Sequence, residues 1–244
     1  MLQHLPTEIL VNILQFLTFT DYQVILKVCS RLLEILKDLK YPIFSVVLNN
    51  KSSIKYGLGL IRSISVYKSM PISDNLLNIS KLSLYSVNGV TDSIILKFTN
   101  LSELTICFCW MYLPTTALHK LENLRRLKIT VTGIFSHRIQ FQVPNSLDYF
   151  SIDTDRNICR KLDILIDKDC KVQSLQILDG TVSADIFKNI CAKDLKIHVR
   201  CFDKLEYLGY CRNLQSLKLI SLFHIPNLSS QIMKICPQLD CFEY

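Results

Sequence analysis

Apolar and polar positions alternate along this chain with two different periods. From Glu8 to Leu17 the polar residues are Glu8, Asn12 and Gln15, spaced four and three apart. That spacing puts them in one narrow stripe on a helix. The rest of the segment (Ile9, Leu10, Val11, Ile13, Leu14, Phe16, Leu17) is apolar. A surface helix usually hides about a third of its circumference, and this one has to hide most of it. Pro6 suits the first helical position, and Glu8 meets the positive end of the helix dipole. Thr20 and Gln23 have capping-box spacing, with Asp21 as a second possible cap, ahead of Val24, Ile25, Leu26 and Val28. Ser30 can cap a third segment carrying Leu32, Leu33, Ile35, Leu36 and Leu39. Three short helices with this much apolar surface predict an interaction module, part of it sealing the following domain through Leu36 and Leu39.

From residue 61 the period changes. The pattern apolar-x-x-apolar-x-apolar starts at Ile61, Ile79, Leu101, Leu124, Leu147, Val172, Ala192, Leu214 and Leu239, with successive spacings of 18, 22, 23, 23, 25, 20, 22 and 25. A weaker copy starts at Ile43, with Val46 and Leu48. The clearest copies are NLSELTI at 100–106, NLRRLKI at 123–129 and NLQSLKL at 213–219. Each copy predicts one short parallel strand that cannot bury its apolar face alone, so neighbours must stack. Helical returns are expected between strands. Asp92 is a candidate cap for Ser93–Phe98 and Ser183 for Ala184–Cys191, with Ile186, Phe187 and Ile190 inward. Ser229 or Ser230 is the candidate cap for Gln231–Ile235. A generic α/β fold with accidental periodicity is the alternative.

Both patterns carry a family resemblance. Residues Leu5-Pro6, Glu8-Ile9-Leu10, Ile13-Leu14, Leu17, Asp21, Val28-Cys29 and Arg31 resemble an F-box. The resemblance implies docking to the Skp-type adaptor of a cullin–RING (SCF) ubiquitin ligase. It also implies that Leu5, Pro6, Ile9, Leu10, Ile13, Leu14, Leu17, Val24, Leu26 and Val28 form or support that interface. Where the family often has a Trp, this chain has Leu32 and Leu33, which fill less volume and anchor less. An ordinary helical cap is the alternative for this segment. The repeats resemble leucine-rich repeats, whose period is about 20–29 residues. Cys191, Cys211 and Cys236, just before the final copies, are placed as in the cysteine-type repeats often joined to F-boxes. The Asn that usually closes the repeat turn is mostly missing, and repeat lengths vary.

The expected fold is therefore α/β. A three-helix F-box at 1–40 precedes a solenoid of about nine irregular repeats at 41–244, with a curved parallel sheet inside and helices outside. The implied function is a substrate receptor of an SCF ubiquitin ligase, acting by proximity. A repeat scaffold or inhibitor without ligase association is the alternative.

In such a fold the residues between inward positions face the open side of the sheet. One column reads Ser65, Ser83, Thr105, Lys128, Ser151, Gln176, Lys196, Lys218 and Glu243. The second reads Ser63, Lys81, Glu103, Arg126, Tyr149, Ser174, Asp194, Ser216 and Cys241. Arg126 and Lys128 make a basic point in the middle, and Lys196 and Lys218 another near the end. With Tyr149 these are the candidate substrate-binding residues, facing an acidic or phosphorylated patch. A solvated strand face with mixed charges is the competing reading.

Composition narrows the picture. Hydrophobic residues make up 49% and charged residues 20% of the 244, which suits a sizeable core. The 10 cysteines include no C-x-x-C pair. With no basic residues ahead of the first apolar run, no signal peptide is expected, and reduced thiols in cytosol or nucleus follow. No apolar stretch has the length of a membrane span. The net charge of +7 is spread along the chain with Asp and Glu between, so nucleic-acid binding is not expected. His4, His119, His137, His198 and His224 lack metal-ligand spacing. Cys107 and Cys109 are expected to be packing residues, and Trp110 core or rim. Neither a phosphate loop nor a nucleophile elbow is present. The expectation is no catalytic residue, no metal and no cofactor.

Overall fold

The structure is a computed structural model. It describes residues 6, 9, 21, 24, 44–48, 61–67, 79–87, 90–108, 117–131, 139–154, 162–165, 170–178, 184–198, 205–220 and 226–244. Its strands are β1 (Phe44–Leu48), β2 (Ile61–Tyr67), β3 (Lys81–Tyr85), β4 (Glu103–Phe108), β5 (Arg126–Val131), β6 (Ile139–Gln142), β7 (Ser146–Thr154), β8 (Leu162–Leu165), β9 (Cys170–Leu178), β10 (Ile190–His198), β11 (Ser216–Ile220) and β12 (Cys241–Glu243). Beyond residue 44 the described α-helices are α1 (Asp92–Ile95), α2 (Ala184–Asn189) and α3 (Leu228–Ile235), with 3-10 turns at Leu118–Lys120 and Leu205–Tyr210.

Ten strands form one open sheet in the order β1-β2-β3-β4-β5-β7-β9-β10-β11-β12, and each pairs parallel with its neighbours. Each strand falls on one copy of the apolar pattern, and β1 falls on the weak copy. Ser63, Lys81, Glu103 and Arg126 lie in direct register, as do Ser65, Ser83, Thr105 and Lys128.

Parallel sheets are normally covered on both faces and read as continuous apolar runs. Here burial alternates instead: β5 reads exposed-buried-exposed-buried, and β11 follows the same rule. One face is therefore core and the other is largely open, with Ser151 and His198 the buried positions among its described residues. The core face carries Leu104, Ile106, Leu127, Ile129, Phe150, Leu175 and Leu217, each 0–1% exposed. It packs in one continuous core with Ile95, Leu118, Phe187, Leu208 and Ile232 from the returns.

The register is locked by a recurring backbone bond. The carbonyl of Ser80 accepts from the N–H groups of Ser102 and Glu103, and that of Ser102 from Arg125 and Arg126. Arg125 repeats the arrangement toward Asp148 and Tyr149, and Gln215 toward Asp240 and Cys241. The first apolar residue of a copy also donates back three residues. Leu101 reaches Phe98, Leu124 reaches Leu121, Leu214 reaches Cys211 and Leu239 reaches Cys236. Cys211 and Cys236 thus stand where Phe98 and Leu121 stand earlier, and all four are buried. Cysteine serves there as a small apolar residue.

The returns differ from expectation in detail. Thr91, not Asp92, is the N-cap of α1, and Asp92 lies in its first turn. Asn227, not Ser229 or Ser230, is the N-cap of α3, with a left-handed φ of 57°. Asparagine tolerates that conformation better than most residues, so it can turn the chain abruptly into the helix. The helix expected over Ala184–Cys191 stops at Asn189, because Ile190 and Cys191 join β10. Their backbone pairs with Cys170 and Lys171 of β9, and that ladder outcompetes another helical turn. Two returns carry strands instead: β6 and β8 pair parallel as a separate two-stranded sheet.

Of the N-terminal segment, Ile9, Asp21 and Val24 are α-helical and exposed, and Pro6 is exposed. Leu5, Leu10, Ile13, Leu14, Leu17, Leu26 and Val28 lie outside the described residues, as do Leu32, Leu33, Leu36, Leu39, Cys109 and Trp110.

Candidate functional site

Two surfaces stand out from the sequence: the N-terminal helical segment and the open face of the sheet. In the first, Ile9 is 45% and Val24 57% exposed. A β-branched aliphatic side chain this exposed leaves much of its transfer free energy ungained.

The open face is built by register. Strand alternation points every second residue away from the core, and parallel pairing aligns those residues from strand to strand. In one column Lys81 Nζ lies 2.7 Å from Glu103 Oε1. In the same column the Arg126 guanidinium lies over the Tyr149 ring, 5.2 Å from its centroid. The Tyr149 hydroxyl donates to Gln176 Oε1 at 2.6 Å. In the column of Lys128 and Lys196, Lys218 donates to the Glu243 carboxylate. That hydrogen bond, then the Lys218 charge, holds the Glu243 carboxyl below its usual range. A third column carries Tyr67 and Tyr85, stacked 4.6 Å apart with rings 9° from parallel.

The candidate substrate residues therefore divide. Lys128 and Lys196 share a column, separated by Ser151 and Gln176. Arg126 and Tyr149 engage each other. Lys218 is paired with Glu243 of the neighbouring strand, both side chains more than half exposed. The two ion pairs join residues 22 and 25 positions apart in neighbouring copies; the signal is opposite charges at matching places in successive copies. The Tyr67–Tyr85 stack was missed because it lies one alternation beyond the two columns.

Cysteine chemistry is muted. Burial, then the neighbouring thiols of Cys236 and Cys191, pushes the Cys211 thiol up to about 12. Cys236 is raised by burial. Thiols in this state hold their protons and are poor nucleophiles and metal ligands. Cys107 is not fully packed away; it is partly exposed in the tyrosine column. Among the described residues no group of three or more His, Cys, Asp or Glu could hold a metal ion. No described helix is long and apolar enough to cross a membrane.

Comparison with known proteins adds one finding. Residues 2–44 match the family model for the F-box domain, which supports an F-box protein. F-box domains bind Skp-type adaptors in cullin–RING ligases, and F-box proteins are generally non-catalytic substrate adaptors. No curated protein matches the chain.

Proposed function

We propose that this chain is the substrate-recognition subunit of an SCF (Skp–cullin–F-box) ubiquitin ligase. The observation that carries the reading is the F-box match at residues 2–44, immediately ahead of a parallel sheet with one open face. In this reading residues 1–40 dock the adaptor through Leu5, Pro6, Ile9, Leu10, Ile13, Leu14, Leu17, Val24, Leu26 and Val28. Residues 41–244 form a leucine-rich-repeat solenoid, and its open face, with Arg126, Lys128, Tyr149 and Lys196, holds the substrate in the cytoplasm or nucleus. Lys218 contributes through its pair with Glu243 rather than as a free cation. The chain acts by proximity: it raises the effective concentration of a substrate lysine near ubiquitin carried by other subunits.

The test is affinity purification with cullin and proteasome activity blocked, comparing the wild type with an Ile9→Asp/Leu14→Asp double variant. The adaptor and cullin are expected with the wild type and absent with the variant, whose sheet stays folded. No complex at micromolar protein would refute the reading in favour of a scaffold without ligase association.

A further inference from the structure

The cations of the open face are not equivalent. Lys81 is held by Glu103, Lys218 by Glu243, and Arg126 lies against Tyr149. Among the described residues Lys128 and Lys196 have no ion-pair partner. They share one column, and the register Lys128–Ser151–Gln176–Lys196 sets them three strand spacings apart. With strands 4.7–4.9 Å apart, that separation is about 14 Å. An extended peptide advances about 3.3–3.6 Å per residue, so about four residues span the gap.

The two residues between the lysines, Ser151 and Gln176, carry no charge that would compete for them. Ser151 is short and only 1% exposed, and the Gln176 amide is engaged by Tyr149. Asp194 stands in the flanking column beside Lys196 and disfavours acidic groups on that side of the Lys128–Lys196 line. Each end of that line offers a single ammonium, a point charge. Phosphate sites instead usually cluster arginines, whose forks bind bidentately, and Arg126 is engaged with Tyr149. The chemistry fits carboxylates.

We propose that Lys128 and Lys196 form a two-point clamp for an extended substrate segment carrying two carboxylates, Asp or Glu, four residues apart, with uncharged residues between them. The clamp rests on the reading of the open face as the substrate surface. It specifies what that surface selects.

The test is selection of a randomised peptide display library on the full chain, followed by fluorescence anisotropy with the selected sequences. Asp or Glu should be enriched at two positions four apart, with affinity falling when the separation is changed to two or eight. Lys128→Ala should erase the preference at one position and Lys196→Ala at the other, each weakening binding about fivefold. Lys128→Glu should replace the acid by Lys or Arg at its own position only. Enrichment without this spacing, indifference to both variants, a requirement for a phosphorylated residue, or no enrichment would each overturn the clamp. The receptor reading is judged separately, by proteome turnover with and without the chain. Substrates stabilised on its loss but lacking the acid pair would sink the clamp alone. Unchanged turnover would sink the receptor reading.

Discussion

Truncating Ile9 and Val24 tests whether the exposed N-terminal helical residues are docking surface. Fully burying an Ile or Val side chain is worth about 1.5–3 kcal/mol. Ile9 is 45% and Val24 57% exposed, so roughly half of that remains to be gained on binding. Ile9→Ala and Val24→Ala should therefore each weaken adaptor binding by about 1 kcal/mol, roughly fivefold. Additive effects give about 2 kcal/mol or roughly 30-fold for the pair. Ile9→Asp should abolish measurable binding, because an unpaired carboxylate would be desolvated at the interface. Because both side chains are exposed in the free chain, the alanine variants should cost stability no more than about 0.5 kcal/mol. That corresponds to roughly 1–2 °C in Tm for a domain of this size. Isothermal titration against a Skp-type adaptor measures the binding, and a thermal melt checks the fold. Unchanged affinity with an intact melt would refute the interface; a collapsed melt would show that these residues support the fold instead.

Other outcomes follow from the sheet. Phe150→Ala, in a fully buried position on β7, should cost about 3–5 kcal/mol in urea unfolding, whereas Lys128→Ala on the open face should leave the midpoint unchanged. Cys241 is exposed and should alkylate readily at pH 8, while buried Cys211, with its thiol pushed up to about 12, should resist until the chain unfolds. Because the Cys211 thiol keeps its proton in the fold and ionises when unfolded, its contribution to stability is complete below pH 9 and declines as pH rises toward about 12. Glu243 should titrate below its ordinary value of 4.5 in a carboxyl NMR titration, and Lys218→Met should return it to the usual range. Whatever stability that pair adds is present above 4.5 and is lost as pH falls through the lowered value.

The parallel sheet is legible in the chain itself. Leu104 with Ile106, Leu127 with Ile129 and Leu217 with Leu219 repeat one spacing, and a strand offers only two faces. The repeat therefore determines which residues are buried and which share the open columns. The F-box resemblance is equally local, because short amphipathic helices carry their pattern within a few turns. Tertiary structure decided the rest. Whether a lysine is paired depends on a carboxylate more than twenty residues away and on both rotamers, so Glu103 pairs with Lys81 and Glu243 with Lys218, while among the described residues Lys128 and Lys196 have no ion-pair partner. Caps moved by one to three residues because Thr91 and Asn227 sit where the backbone actually turns. The end of α2 was set by β9, whose free ladder positions captured Ile190 and Cys191. Local pattern chose the faces; pairing between distant residues chose which charges on the open face remain available to a partner.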